Sequence, residues 1–217
     1  RYAPHVPCLS SSSVIECVMS STTPEVLQQI DARFHLHPFT DHNELHAVGT
    51  HILERGEGVF LYDAKGRKLL DGLAGLWCVN VGYNCSEIVE AVTAQMQRLP
   101  YYPSFFNSTT EPAIQLAEKL AMLAPSRLKH TIFSNSGSEA NETALKLIRA
   151  YQKLRGRQAK TKIITREFAY HGVTLATTSM TGLPGCYQPF DLPLPGFIHV
   201  PGPNAYAANK ESDRDAY

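Results

Sequence analysis

Long apolar runs are missing from this chain, and so is any excess of charge. No stretch approaches the roughly 20 apolar residues that a membrane-spanning helix needs. Glu16 interrupts the only apolar patch of the first eighteen residues, so no signal-peptide core is read there. Twenty basic and twenty acidic residues leave the formal net charge at zero, and no basic block marks a nucleic-acid surface. The five cysteines are odd in number and lack C-x-x-C spacing. They read as free thiols of a cytoplasmic protein, not as a disulfide frame or a zinc site. Histidine is the abundant exception, with nine copies, of which His35, His37, His42, His46 and His51 lie close in sequence. Without an H-E-x-x-H pattern, that group reads as surface or interface, and no metal is expected.

What remains is the composition of an ordinary globular protein, 43% hydrophobic and 18% charged over 217 residues, enough for one or two domains. The chain starts at Arg1 without a methionine, and residues 1–18 differ in composition from the rest of the chain. They are expected to lie outside the fold. Thr23-Pro24 opens a helix to about Arg33. GVFLYDAKGRKLLDG reads as a hairpin turning at Asp63 to Gly66. GLAGLWCVNVGYN reads as a buried, glycine-punctuated loop with a short strand. Ser86 is expected to cap a helix with Ile88, Val92, Met96 and Leu99 on one face. Thr110 or a neighbour caps the next, EPAIQLAEKLAMLA, which stops before Pro125.

The most informative stretch is Phe133 to Tyr151, FSNSGSEANETALKLIRAY. An apolar strand, HTIFSN, is expected to enter a Ser-Gly-Ser turn and then a long helix. That helix carries an apolar stripe of Ala140, Ala144, Leu147, Ile148, Tyr151 and Leu154. With strand KIITRE it makes a β-α-β unit, which implies a parallel sheet and an α/β architecture behind a small α+β arm. The first N–H groups of a helix lack intrahelical partners and carry partial positive charge. Gly137 lets a ligand approach the backbone, and Ser136 and Ser138 add hydroxyls, so the turn suits a phosphate ester. The same residues, Ser136 and Glu139, also fit a capping box that only closes a helix end. Glu139 and Glu142 read as helix-dipole residues facing solvent.

Ligands of open α/β sheets bind at the carboxyl ends of strands. If the two strands are neighbours, Tyr170 and His171 come close to the phosphate turn, as a phosphorylated planar heterocycle would require. SNSGSEANETALKLIRAY followed by AYHG and preceded by GLWCVNVGY resembles the class III pyridoxal-phosphate-dependent aminotransferases. It is most similar to their ω-amino acid and amine:pyruvate group. The likeness runs from about His35 to Tyr206 and includes HPFTDH, LYDAKGRKLLDGLAGLW, FFNST and DLPLPGFIHV.

The resemblance implies an incomplete type I fold of pyridoxal-phosphate-dependent transferases, in a homodimer with active sites at the subunit interface. Residues 19–75 would be an N-terminal arm and small-domain segment, and 76–217 the first part of the large cofactor-binding domain. By motif match, Ser136, Gly137 and Ser138 would bind the phosphate of pyridoxal 5'-phosphate. Tyr170 would stack on its ring, with His171 beside it. Trp77, Leu76 and Phe39 would line the substrate site, and Phe105 and Phe106 would reach it from the partner subunit. Read without the motifs, Trp77 could be core packing, Tyr170 a strand cap, and Phe105-Phe106 interface filler.

The implied activity is transfer of an amino group from a primary amine or ω-amino acid to a 2-oxo acid such as pyruvate. A decarboxylase or aminomutase of the same superfamily and a non-catalytic phosphate-ligand module are the alternatives. Two departures stand out. Where the family has Gly-Tyr-Gly-Arg, this chain has Gly82-Tyr83-Asn84-Cys85, and Asn tolerates the left-handed conformation a glycine would adopt. The chemistry also needs a lysine that bonds the cofactor and an acid at its pyridine nitrogen, both far beyond the YHG motif in the family. The chain ends 46 residues after His171, and no catalytic lysine is assigned within it.

Overall fold

The computed structural model describes residues 23–203, so the segment 1–18 lies outside the described residues. The described residues fall into two compact units, divided between Pro103 and Ser104. Within the first unit, the chain after Leu73 returns to the turn at Gly58. Gly58 and Tyr83 exchange backbone bonds of 3.1 and 2.7 Å. The Tyr83 ring covers Gly56 so closely that a Cβ there would stand 2.5 Å from it, a contact only glycine permits.

In the first unit, helix α1 (Pro24–Phe34) begins with Pro at its first position, and α2 (His42–Val48) is capped by Asp41, whose side chain accepts from the N–H groups of Asn43 and Glu44. Strands β1 (Leu53–Glu57), β2 (Phe60–Asp63) and β3 (Lys68–Leu70) form an antiparallel meander, with Phe60 opposite Leu70 and Tyr62 opposite Lys68. The expected hairpin is the β2–β3 pair. Asp63 fixes its turn: the side chain, 2% exposed, accepts from the N–H groups of Lys65 and Arg67 and from Arg67 Nε at 2.6 Å. Helix α3 (Ser86–Arg98) follows. Cys85, not Ser86, holds its N-cap position; the Ser86 hydroxyl donates to Glu87 instead.

The stretch Ala74–Trp77 departs most from expectation. It is a largely exposed turn rather than a buried loop with a strand, and all four residues have positive φ: +49, +56, +58 and +64. Left-handed backbone costs about 1–2 kcal/mol per non-glycine residue, so this turn needs outside support. Asp71 supplies it by accepting from the N–H groups of Leu73 and Gly75 at 3.0 and 2.8 Å.

In the second unit, α4 (Glu111–Leu123) and α5 (Gly137–Leu154) precede β4 (Ile163–Arg166), α6 (Leu175–Met180) and β5 (Phe197–Val200). Strands β4 and β5 pair in parallel, Ile163 opposite Phe197 through Arg166 opposite Val200. The parallel sheet is therefore present, but HTIF is not a strand in it. It has no ladder partner among the described residues, and Ile132 and Phe133 are exposed. An apolar sequence becomes a strand only where another edge accepts its hydrogen bonds.

The core of this unit is built on hydroxyls. Thr177, Ser179 and Thr181 are fully buried, and each is satisfied. Ser179 Oγ donates to the Leu175 carbonyl and accepts from Leu194 N–H, and Thr181 Oγ1 donates to the Thr177 carbonyl. Thr177 Oγ1 accepts from Thr174 N–H. Thr165 of β4 donates to the Met180 carbonyl at 2.6 Å, which ties sheet to helix. Pairing every one of these buried hydroxyls removes the cost of its desolvation.

Candidate cofactor site

Ser136 occupies the N-cap of α5 in extended conformation, and its Oγ accepts from Glu139 N–H at 3.2 Å. Glu139 reaches back to accept from Asn135 N–H at 2.8 Å. The capping box is thus present, shifted by one residue from its usual reciprocal partner. It does not use up the turn. Ala140 N–H goes to the Ser136 carbonyl, and the N–H groups of Gly137 and Ser138 donate to nothing among the described residues. A Cβ on Gly137 would meet nothing within 4 Å, so the turn is open on that side.

Ser138 faces inward and is buried. Its Oγ accepts from Val173 N–H at 3.1 Å, which leaves its own proton to donate. One turn on, Asn141 Nδ2 donates to the His171 carbonyl at 2.8 Å. Glu142 accepts from Thr174 Oγ1 at 2.6 Å. Three bonds therefore clamp the segment His171–Thr174 to the first two turns of α5. Glu142 does not simply face solvent, as its position near the helix start suggests, because Thr174 takes it. From the other side, His171 N–H donates to Thr181 Oγ1 at 3.0 Å. Gly172, at φ +139, sits so close to Ser138 Oγ and Thr177 Oγ1 that no Cβ fits. This close approach holds the segment that follows Tyr170 against the first turn of α5.

Helix α5 thus packs through Ser138, Asn141, Glu142 and Leu145, an i, i+3, i+4, i+7 face that is mostly polar. The apolar stripe read from sequence is on another side, and Leu147, Ile148, Tyr151 and Leu154 are exposed among the described residues. Periodicity finds a true face of the helix, but not the one that holds the site. The S-x-x-N-E spacing would have pointed to the second face.

Phe39, Leu76 and Trp77 belong to the first unit, all exposed, with Trp77 at 74%. Phe105 and Phe106 lie at the start of the second unit as an edge-on pair with ring centroids 6.3 Å apart, and Phe106 is 95% exposed. Phe39, Leu76, Trp77 and Phe106 share one further property: each has φ between +52 and +64. Bulky side chains rarely accept that conformation, and such outliers cluster at ligand-binding sites. Asn84 has φ +58, the left-handed geometry expected where the family has glycine.

The profile of the class III aminotransferase family matches residues 41–217. The chain belongs to the class III aminotransferases. It is 40% identical over 190 residues to the putrescine–pyruvate aminotransferase of Pseudomonas aeruginosa, spanning 88% of this chain and 42% of that protein. Gamma aminobutyrate transaminase 1, mitochondrial, of Solanum lycopersicum is 45% identical over 170 residues, 78% of this chain and 33% of that one. Among solved structures, the ω-transaminase of Pseudomonas jessenii in complex with PMP superposes with TM-score 0.83 at 40% identity, covering 85% of this chain and 41% of that one. The (S)-enantioselective ω-transaminase of Thermomicrobium roseum also gives 0.83 at 40%, covering 89% and 43%. The chain thus spans less than half the length of the relatives it matches. Class III aminotransferases depend on pyridoxal phosphate, and this class III chain has the mixed α/β architecture of an incomplete transaminase fold.

Proposed function

We propose that the protein is a transaminase that moves an amino group from a primary amine or ω-amino acid to a 2-oxo acid such as pyruvate. The observation that carries this reading is the open N–H pair of Gly137 and Ser138, with the Ser136 and Ser138 hydroxyls beside it, clamped to the Tyr170-His171 segment. Two backbone donors, two hydroxyls and the positive end of an 18-residue helix suit a phosphate dianion. The residues fit pyridoxal phosphate in this respect: Ser136, Gly137 and Ser138 would hold its phosphate, while Tyr170 and His171 would flank its ring. Bound there, the cofactor supplies an electron sink for the carbon that loses or gains nitrogen.

This chain's own part is to anchor and orient. The phosphate site fixes one end of the ring, and the clamp on His171–Thr174 fixes the segment that carries Tyr170. Phe39, Leu76 and Trp77 are proposed to contact the substrate, with Phe105 and Phe106 doing so from a second copy in a homodimer. Their motif positions and, for all but Phe105, their left-handed backbone support these assignments. The lysine that bonds the cofactor and the acid at its pyridine nitrogen are proposed to lie outside these 217 residues. We place the protein in the cytoplasm. Cys78, Cys85 and Cys186 are free, and no helix among the described residues is long and apolar enough to cross a membrane.

Two measurements test this reading. Treated with pyridoxal phosphate and then borohydride, the 217-residue chain should give no stoichiometric adduct on any single lysine. An adduct at one lysine would place the catalytic amine inside this chain. The gene's downstream sequence, expressed in the same polypeptide, should confer amine-dependent conversion of pyruvate to alanine. A continuation without an acid and a later lysine would sink the transaminase reading.

A further inference from the structure

We propose that Asp31, His35 and His37 form a binding site for a divalent transition-metal ion, at the junction of α1 with the segment leading to α2. The inference does not depend on the transaminase reading. Sequence spacing argues against a metal because the histidines show no H-E-x-x-H pattern. The fold supplies a convergence that spacing conceals. Asp31 lies in the last turns of α1, His35 is its C-cap four residues on, and the chain then bends back to bring His37 to the same carboxylate.

Asp31 Oδ1 lies 2.9 Å from His35 Nδ1 and 3.0 Å from His37 Nε2, and Oδ2 lies 2.9 Å from His37 Nε2. The three donor atoms all fall within 4.8 Å of one another. Ligand atoms each about 2.1 Å from one ion stand about 3.0–3.4 Å apart. The Asp31–His35 and Asp31–His37 pairs already stand at 2.9 Å, and rotation of the two rings would turn both nitrogens onto one ion, each neutral imidazole then carrying its proton on its other nitrogen. Two imidazoles and a carboxylate are the ligand chemistry of zinc and its neighbours, not of calcium or magnesium.

The surroundings are also those of a metal site. Thr50 Oγ1 donates to Asp31 Oδ2, and His42 Nε2 lies 3.0 Å from the His37 carbonyl, holding the backbone that presents the ring. Such outer contacts orient ligands and tune affinity. The Asp31 and His37 side chains are 16% and 22% exposed, whereas His35 is 63% exposed. The site is thus partly enclosed yet open on one side, where water or a substrate oxygen would complete the coordination. An ion there would lock the end of α1 to the loop at Pro38.

The test is titration of the chain with Zn2+ against a chromophoric chelator, and with Co2+ followed by its visible d–d bands. The cobalt spectrum separates nitrogen and oxygen ligation from binding at cysteine thiolates, which adds an intense charge-transfer band. Wild type should bind one ion without that band. His35→Gln, at an exposed position, and His37→Gln should each weaken binding at least tenfold, while His46→Gln should leave it unchanged. Circular dichroism of each variant checks that the fold is kept. Absence of saturable one-to-one binding, wild-type affinity in folded His35→Gln, or a thiolate spectrum would overturn the proposal.

Discussion

Tyr83 donates its phenolic hydroxyl to Asp71 Oδ2 across 2.5 Å. The same carboxylate accepts from the N–H groups of Leu73 and Gly75. One side chain twelve residues away thus steadies the acid that holds the left-handed turn Ala74–Trp77. The turn in turn sets where Leu76 and Trp77 point. A strained backbone persists only where its surroundings over-determine it, and here the determinants are named.

Tyr83→Phe should loosen this turn. Amide exchange at Gly75 should quicken about fivefold to tenfold, the equivalent of losing one ordinary net hydrogen bond. The pH dependence is also defined. The bond to Asp71, then burial, raises the Tyr83 hydroxyl above its ordinary value. Its contribution to stability is full below the unfolded value near 10 and disappears as pH rises through the folded one. The Tyr83 bond lowers the Asp71 carboxyl, against burial and with help from backbone N–H groups. That contribution is present above about pH 4 and lost as pH falls through the depressed value. In ultraviolet titration, Tyr83→Phe should remove a late-ionising component that wild type shows.

Ser136 carries two roles that substitution can separate. Ser136→Ala removes the cap on Glu139 N–H and should cost about 1 kcal/mol of stability, whereas Ser136→Gly should cost only a few tenths. Both remove the hydroxyl. If the turn binds phosphate, both should weaken inorganic phosphate binding alike while their unfolding midpoints in urea differ. Unchanged phosphate binding in both variants would leave Ser136 as a cap alone.

Gly172→Ala should be costly although the change is one methyl group. Its φ of +139 and the closeness of Ser138 Oγ and Thr177 Oγ1 leave a side chain no room, and about 1–3 kcal/mol of strain is expected. Because the methyl pushes against Ser138, the bond to Val173 should break first. Denaturant unfolding and amide exchange at Val173 would show both effects.

Much of this fold is legible in local chemistry. Pro24 marks the start of α1, Asp63 to Gly66 the hairpin turn, and Asn84 the left-handed position. The features that local chemistry misses depend on distant partners. HTIF has strand composition, but a strand exists only where a neighbouring edge pairs with it. The left-handed turn at Ala74–Trp77 rests on Asp71 and Tyr83, not on its own sequence. The site face of α5 is polar, so a search for apolar periodicity selects the exposed stripe through Leu147 and Ile148 instead. The Asp31, His35 and His37 convergence depends on how the chain leaves α1 at its C-cap His35, which spacing alone does not reveal. The sequence of Ser136-Gly137-Ser138 suggests an anion turn, but the bonds of Asn141 and Glu142 that hold His171 and Thr174 against α5 are not readable there.

The central claim is that the Ser136–Ser138 turn grips the cofactor through its phosphate. Equilibrium dialysis of the chain against pyridoxal phosphate and against pyridoxal, with and without Ser138→Ala, tests it most directly. The account predicts that wild type binds the phosphorylated form at least tenfold more tightly than pyridoxal, and that Ser138→Ala removes most of that preference while circular dichroism stays unchanged. Equal binding of the two forms by the folded wild-type chain, or a phosphate preference untouched by Ser138→Ala, would contradict it.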